Sequence, residues 1–250
     1  MFPIRDHNPS GITPLVTWGL ILLNVLIHAL VWTTATSDPA LWRLYDAFAM
    51  IPLEVSHGQD LKTLATSTFL HAGWVHLAGN MLFLWIFGDN LEEAMGRIGF
   101  LLFYLACGVG ANLCQWAAEP LSRVPTIGAS GAIAGVMGGY LLLFPRARVD
   151  VLVLLVRVVP VPAWAMLGLW LALQVASGLG ANPLDGGVAY WAHAGGFAVG
   201  LALALPAWLR RGGTASWSQG GEAPGGRPPH SAATYGALTP TRVPVVRRSR

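Results

Sequence analysis

Long apolar stretches alternate with shorter polar segments along this chain, and several of them approach the ~20 residues needed to cross a bilayer. The pattern predicts six membrane-spanning helices joined by loops, which is an all-α polytopic membrane protein. The predicted spans are Thr13–Trp32, Trp74–Phe87, Ile98–Ala118, Ile127–Phe144, Pro162–Ser177 and Tyr190–Leu209. A long external loop, Thr33–Leu70, separates the first two spans.

The start of span five depends on two prolines. The segment Val149–Val159 is apolar and β-branched, but Arg157 interrupts it and Pro160 follows. Proline is tolerated in the first turn of a helix and disfavoured further along. We therefore expect span five to begin at Pro162.

The spans divide the chain into three parts. Residues 1–12 form a short N-terminal segment, residues 13–209 form the six-span domain, and residues 210–250 form a tail. The tail is rich in Gly, Pro, Ser and Arg, a composition typical of disorder. Within the first loop, Ala40–Ile51 combines aromatic and aliphatic residues with few charges. It fits either an interfacial helix in the outer leaflet or a loop segment folded over the domain.

Composition and charge support the membrane interpretation. Hydrophobic residues make up 54% of the chain and charged residues 11%, against about 25% charged in average soluble domains. The net charge of +3 does not indicate nucleic-acid binding, because the basic residues are not interleaved with aromatic ones. With the N-terminus inside, twelve of the 15 Lys and Arg residues fall on the inner side. This bias predicts that both termini are cytoplasmic.

Polar residues at membrane depth are costly, so those within the spans are candidates for function. His76 and Asn80 lie one turn apart on span two, Ser130 lies on span four and His193 on span six. These three spans all run from outside to inside, and each of the four residues lies within about the first two turns. We therefore expect the four side chains to share one depth in the outer part of the bilayer.

The four residues suit nucleophilic catalysis. A serine hydroxyl becomes a good nucleophile when a base removes its proton, and His193 can act as that base for Ser130. Two helices must approach closely for such a hydrogen bond, and small residues four apart permit this in lipid. The candidate glycines are Gly131, Gly135 and Gly139 on span four, with Gly196 and Gly200 on span six.

Other chemistries have less support in the sequence. Taken singly, Ser130, Asn80 or either histidine could be a packing residue, and their coincidence at one depth carries the catalytic hypothesis. No His-Glu-x-x-His motif or pair of mid-span aspartates is present, so we expect neither a metal nor a cofactor. Inverted repeats, the mark of many transporters, are not evident. Cys107 and Cys114, about 10.5 Å apart along one helix, are too distant for a disulfide.

Three sequence motifs resemble the rhomboid family of intramembrane serine proteases, and the match covers nearly all of Thr13–Leu209. The segment from His71 to Asn80 is similar to the family's His…His-x-x-x-Asn motif on its second span. Gly128-Ala129-Ser130-Gly131 and Ala192-His193-Ala194-Gly195-Gly196 are similar to its Gly-x-Ser-Gly and Ala-His-x-x-Gly motifs. Gly88-Asp89-Asn90-Leu91-Glu92 is similar to the stretch that follows its second span.

The resemblance implies a role for each of these residues. Ser130 would be the nucleophile and His193 the general base, in a dyad without an aspartate. His76, Asn80 and the backbone N–H of Ser130 would form the oxyanion hole. His71, Glu92, Gly128, Gly131 and Gly196 would be structural residues near the site, and a substrate helix would enter beside span five and the first loop.

Two positions depart from the family pattern. Ala134 stands where many bacterial members carry a tyrosine stacked on the base. Leu61-Lys62-Thr63 stands where members with a short first loop carry Trp-Arg, and Trp42-Arg43 lies far upstream. The partner that orients His193 is therefore not given by the resemblance.

The implied function is hydrolysis of peptide bonds in or near the transmembrane helices of single-span substrates, in a bacterial inner membrane. The lipid bilayer is the other expected partner, and nucleic acid is not expected. The alternatives are an inactive relative that binds transmembrane helices, and a transporter or channel. The sequence leaves open the substrate, the oligomeric state and the role of the tail.

Overall fold

The computed structural model describes residues 2–153, 156–181 and 187–219, most of which are helical. In chain order its α-helices are α1 (Leu15–Thr34), α2 (Asp38–Phe48), α3 (Pro52–Ser56), α4 (Thr63–Thr66), α5 (Trp74–Met95), α6 (Arg97–Ala118), α7 (Ser130–Leu143), α8 (Ala163–Gly180) and α9 (Tyr190–Arg210). Its strands are β1 (Phe2–Asp6), β2 (Arg148–Val153) and β3 (Arg157–Pro162). Short 3-10 helices cover Ser67–Phe69 and Gly213–Gln219.

Each of the six predicted spans corresponds to one helix: α1, α5, α6, α7, α8 and α9. By length and apolar composition, four of the described helices can cross a membrane, namely α1, α6, α8 and α9. A fifth crossing results if α5 is joined to Thr63–Phe69, which is bent from it by 96°. Helix α7 is apolar but has only 14 residues. The chain is thus a multi-pass membrane protein, and the count of six spans stays a prediction.

Helix α7 lies at the centre of the bundle. Every residue from Gly131 to Tyr140 is buried, as expected for a helix that is apolar on all faces. A Cβ on Gly200 of α9 would overlap the backbone of Gly135, and one on Gly196 would overlap the carbonyl of Gly131. The two predicted glycines of α9 therefore lie where it meets α7, whereas a Cβ on Gly135 of α7 would overlap Cys107 of α6.

The first loop is largely helical and packs at the end of the bundle where α7 begins. Its predicted segment Ala40–Ile51 is helical as far as Phe48, where α2 ends, and both of its proposed locations, in the membrane interface or folded over the domain, stay predictions. Backbone hydrogen bonds between Met50 and Thr126 join the loop to the segment before α7. The Gly128 N–H donates to the Ser67 carbonyl at 3.0 Å. The loop therefore fixes the approach to Ser130.

A small antiparallel sheet corrects the all-α prediction. Strand β1 pairs with β2, with Pro3 opposite Val151, and β2 pairs with β3, with Val149 opposite Val161. The β-branched residues of 149–161 suit strands, and Pro160 is tolerated because β3 is an edge strand. Because β1 belongs to this sheet, residues 2–6 pack with the domain, whereas the sequence predicted a separate N-terminal segment over residues 1–12.

Polar contacts tie the sheet to the bundle. The Tyr140 hydroxyl donates to the Asp6 carboxylate at 2.6 Å. Burial raises the pKa of Asp6 to about 6, although the Tyr140 hydrogen bond opposes the rise. His7 and Arg5 each lie 2.8 Å from the Asp150 carboxylate and hold its pKa below the ordinary value. The N-terminal strand is therefore attached both to α7 and to β2.

The start of the predicted disordered tail is folded. Trp217 donates its indole N–H to the Leu142 carbonyl at 2.8 Å and packs on Trp208, with ring centroids 5.8 Å apart. Arg146 donates to the Trp217 carbonyl at 3.2 Å. The prediction of disorder from residue 210 is thus wrong up to residue 219, because a single tryptophan anchors a stretch of otherwise polar composition. The rest of the predicted tail, 220–250, lies outside the described residues.

Candidate active site

The serine and the histidine predicted to act together are in contact. Ser130 is the first residue of α7, and His193 lies in the first turn of α9. Ser130 Oγ and His193 Nε2 are 2.8 Å apart. That distance suits a hydroxyl that donates to an imidazole nitrogen, the arrangement of a nucleophile and its base.

Gly128 brings His76 close to this pair. A Cβ on Gly128 would lie 2.9 Å from His76 Cε1 and 3.5 Å from Ser130 Oγ. Gly128 also has a φ of +127°, which L side chains rarely adopt. Glycine is therefore required here for two reasons, and its small size allows the His76 ring to lie beside the serine.

Asn80 completes the predicted set. It lies one turn after His76 on α5 and is 8% exposed. Among the described residues, its side-chain Nδ2 has no hydrogen-bond partner. Asn80 lines a cavity of about 450 Å³ together with His76, Ser130 and His193. A buried amide N–H without a partner is costly, so this group is available to a molecule in the cavity.

The other residues predicted near the site have different locations. His71 is buried, and its ring centroid lies 5.2 Å from that of His76. A Cβ on Gly131 would lie 2.6 Å from the Ala111 Cβ, so Gly131 permits the contact of α7 with α6. Gly196 permits the contact of α9 with α7, as described above.

Glu92 is a correction to the predicted neighbourhood of the site. It lies sixteen residues after His76 on α5, which is roughly 24 Å along the helix. Its buried carboxylate accepts hydrogen bonds from the Thr17 N–H and hydroxyl, each at 2.8 Å, and from the Val16 N–H at 3.0 Å. Glu92 therefore holds the N-terminus of α1 and is remote from Ser130.

Two residues of α8 that the sequence analysis did not single out surround the base. Gln174 Oε1 lies 2.8 Å from His193 Nδ1. Trp170 lies beside the imidazole, with ring centroids 5.8 Å apart and planes at 34°. A sequence signal was present, because Gln174 is one of only two uncharged polar side chains in α8, the other being Ser177.

Gln115 of α6 is a further polar residue that the sequence analysis missed. The Ala192 N–H, next to the base in the chain, donates to Gln115 Oε1 at 3.0 Å. Gln115 Nε2 donates in turn to the Glu119 carboxylate at 3.0 Å. This buried amide fixes the first turn of α9 against α6. Among the described residues, no group of His, Cys, Asp and Glu is arranged to hold a metal ion.

Comparison with known proteins identifies the family. The family model for the Rhomboid domain matches residues 58–210, more than half of the chain. This chain belongs to the rhomboid family. Rhomboid proteins are generally serine proteases that act within membranes. The matched region contains Ser130, His193, His76 and Asn80.

Several rhomboid relatives match parts of the chain. Rhomboid protein 1, mitochondrial, of Saccharomyces cerevisiae is 30% identical over 190 residues, covering 74% of this chain and 51% of that protein. Rhomboid-like protein 11, chloroplastic, of Arabidopsis thaliana is 51% identical over 70 residues, 28% of this chain and 25% of that protein. Rhomboid protease GluP of Bacillus subtilis is 42% identical over 78 residues, 31% of this chain and 15% of that protein. The chain thus spans about half or less of the length of these relatives.

Proposed function

We propose that this rhomboid protein is an intramembrane serine endopeptidase whose nucleophile is Ser130 and whose general base is His193. The observation that carries the proposal is the 2.8 Å contact between Ser130 Oγ and His193 Nε2 at the edge of a cavity. A serine used only for helix packing would not need an imidazole at this distance. The cavity gives a peptide carbonyl room to approach the hydroxyl.

The chemistry follows from this contact. His193 Nε2 takes the proton of Ser130 as Oγ attacks the carbonyl carbon of the peptide bond. The tetrahedral intermediate then collapses, the C–N bond breaks, and His193 delivers its proton to the leaving amine. Water hydrolyses the resulting acyl-enzyme with His193 again acting as base, and Ser130 is regenerated.

The negative oxygen of the intermediate needs hydrogen-bond donors. Asn80 offers an amide N–H that has no partner among the described residues, and the His76 ring lies beside Gly128 within reach of the same cavity. Ser130 begins α7, where the first backbone N–H groups have no partner within the helix. We assign the oxyanion hole to these three groups, each worth ~2.7–4 kcal/mol in analogous hydrolases.

The substrates we propose are single-span membrane proteins cleaved in or near the transmembrane helix. An intact helix hides its carbonyls in its own hydrogen bonds, so the helix must unwind where it is cut. We place the site in the outer half of a bacterial inner membrane, with six spans and both termini cytoplasmic. Water then reaches Ser130 from the outer face.

The experiment compares wild-type protein with Ser130→Ala and His193→Ala in detergent and in liposomes. Wild type should cleave a reporter transmembrane helix and should be labelled by a fluorophosphonate probe, and both variants should lose both activities. Cleavage that persists in Ser130→Ala would refute the proposed mechanism.

The two alternatives give different results in the same assay. An inactive relative would bind the reporter helix without cleaving it, and its Ser130 would not react with the probe. A transporter or channel would show substrate flux that survives Ser130→Ala. Neither explains why a base lies within hydrogen-bonding distance of the serine.

A further inference from the structure

The family resemblance supplies no partner for the base, because Ala134 stands where many members carry an aromatic residue. The structure offers one from a different helix. Gln174 of α8 lies on the side of the imidazole opposite Ser130, with Oε1 2.8 Å from Nδ1. Ser130, His193 and Gln174 therefore form a continuous chain of hydrogen bonds that joins α7, α9 and α8.

We propose that Gln174 is the positioning residue of this site: its side-chain carbonyl accepts the Nδ1–H of His193 and keeps Nε2 free to take the serine proton. This inference rests on the proposed function of the Ser130–His193 pair. Gln174 does not touch the reacting atoms, and it acts only through the imidazole.

The direction of each hydrogen bond follows from the chemistry of imidazole. A neutral imidazole carries one N–H, so one ring nitrogen donates and the other accepts. If Nε2 accepts from the Ser130 hydroxyl, Nδ1 must carry the hydrogen, and only the carbonyl oxygen of the Gln174 amide can accept it. When the base becomes protonated, Nδ1 still donates to the same oxygen, so the hydrogen bond is kept throughout the reaction.

Trp170 and Gln174 are four residues apart and lie on one face of α8. Gln174 contacts the edge of the imidazole, while Trp170 lies beside it and also stacks on Phe197 of α9, with centroids 6.2 Å apart. The ring is thus restrained both in rotation and in tilt. An aromatic residue on α8 takes over part of the task that the absent aromatic residue at Ala134 performs in many bacterial members.

A close contact of α8 with α9 makes this arrangement possible. A Cβ on Gly178 would lie 3.2 Å from both the Tyr190 Cβ and Trp191 Cε2, at the start of α9. Gly178 is one turn after Gln174 and is buried. The glycine therefore lets α8 approach α9 at the level of His193.

The test uses Gln174→Leu, which removes the acceptor at similar size, and Gln174→Glu, which keeps an oxygen at the same position. Ser177→Ala is the matched control, since Ser177 is the other uncharged polar residue of α8, is exposed and does not line the cavity. Three quantities are measured for each: kcat and KM for a reporter helix, and the rate of Ser130 labelling by a small fluorophosphonate. Thermal unfolding reports whether each variant is folded.

Gln174→Leu should lower kcat and the labelling rate together by about 10- to 100-fold, because the base loses its orientation. KM should stay within about twofold, because substrate docking is not changed. Gln174→Glu should recover most of both rates, and Ser177→Ala should match wild type. Gln174→Ala replaces Gln174→Leu if the latter does not fold.

Three results would overturn the inference. The first is a Gln174→Leu protein that is labelled at the wild-type rate and cleaves with the wild-type kcat. The second is a Gln174→Leu protein whose KM rises while its labelling rate stays unchanged. The third is an equal loss of kcat and labelling rate in Gln174→Leu and Gln174→Glu, with lowered thermal stability in both. The second would make Gln174 a substrate contact, and the third a residue needed only for folding. Failure of the proposed function is distinct, because wild type itself would then resist the probe.

Discussion

Gly200 in α9 lies directly against the backbone of Gly135 in α7, without space for a methyl group between the two helices. These helices carry His193 and Ser130, so their separation sets the distance between base and nucleophile. The contact of these two glycines, about one and a half turns beyond Ser130 and about two turns beyond His193, therefore controls the distance between the two catalytic side chains.

Gly200→Ala should push α9 away from α7 and both destabilise and inactivate the protein. Overpacking a tight interface costs typically ~1–3 kcal/mol, and here the overlap is with backbone that cannot rotate aside. Thermal unfolding in detergent and reporter cleavage measure the two effects. Gly168→Ala is the control, because a Cβ at Gly168 of α8 meets nothing within 4 Å. A Gly200→Ala protein as stable and active as this control would contradict the packing argument.

Gly128→Ala should lower kcat by displacing His76. The new methyl group would lie 2.9 Å from His76 Cε1, and the φ of +127° adds backbone strain of about 1–3 kcal/mol. Gly58→Ala separates the two effects, since Gly58 also has a positive φ of 70° but nothing within 4 Å of its Cβ position. Both variants should lose stability, and only Gly128→Ala should lose activity in its folded fraction.

Glu92→Gln should destabilise the bundle without changing the chemistry of the folded protein. Three hydrogen bonds at the start of α1 depend on this buried carboxylate, and each buried donor left without a partner costs about 1–3 kcal/mol. The comparison is Glu93→Gln, whose carboxylate accepts one exposed bond from the Gly11 N–H. The denaturation midpoint should decrease strongly for Glu92→Gln and stay near the wild-type value for Glu93→Gln. Fluorophosphonate labelling per folded molecule should match wild type, and a slower rate would show that Glu92 influences the site.

Asp6 should make stability depend on pH. Its pKa is raised from 3.8 to about 6 by burial, so the folded state binds this proton more tightly than the unfolded state. Its contribution to the free energy of unfolding is therefore present below about pH 4 and is lost as the pH rises through about 6. As the pH rises from 4 to 7, the thermal midpoint of wild type should decrease relative to that of Asp6→Asn. A difference between the two proteins that does not change with pH would refute this assignment.

The sequence was sufficient for the parts of the site that rest on local motifs. Ser130, His193 and His76 lie in the first turn or so of three apolar helices and Asn80 lies one turn after His76, so local motifs were enough to predict that the four line one cavity. Gln174 escaped prediction because its role depends on how α8 is rotated against α9, which no local pattern specifies. Periodicity places a residue on a face of its helix, and packing decides which neighbour that face meets.

The strands escaped prediction for a related reason. Val149 and its neighbours have strand propensity, but the pairing that stabilises them comes from residues about 145 positions earlier in the chain. An isolated two-stranded hairpin is marginal in water, so the third strand from the N-terminus decides the outcome. Glu92 shows the same limit, since its partners Val16 and Thr17 belong to a different helix.

The pairing of β1 with β2 has a consequence for how the chain is threaded. Strands that share hydrogen bonds must lie on one side of the membrane, so the chain between Asp6 and Arg148 must cross it an even number of times. Four of the predicted spans, α1, α5, α6 and α7, lie in that interval. If α1, α5 and α6 all cross the membrane, the short helix α7 must cross it too. Reporters fused before residue 2 and inserted at 154–155 should therefore always report the same compartment.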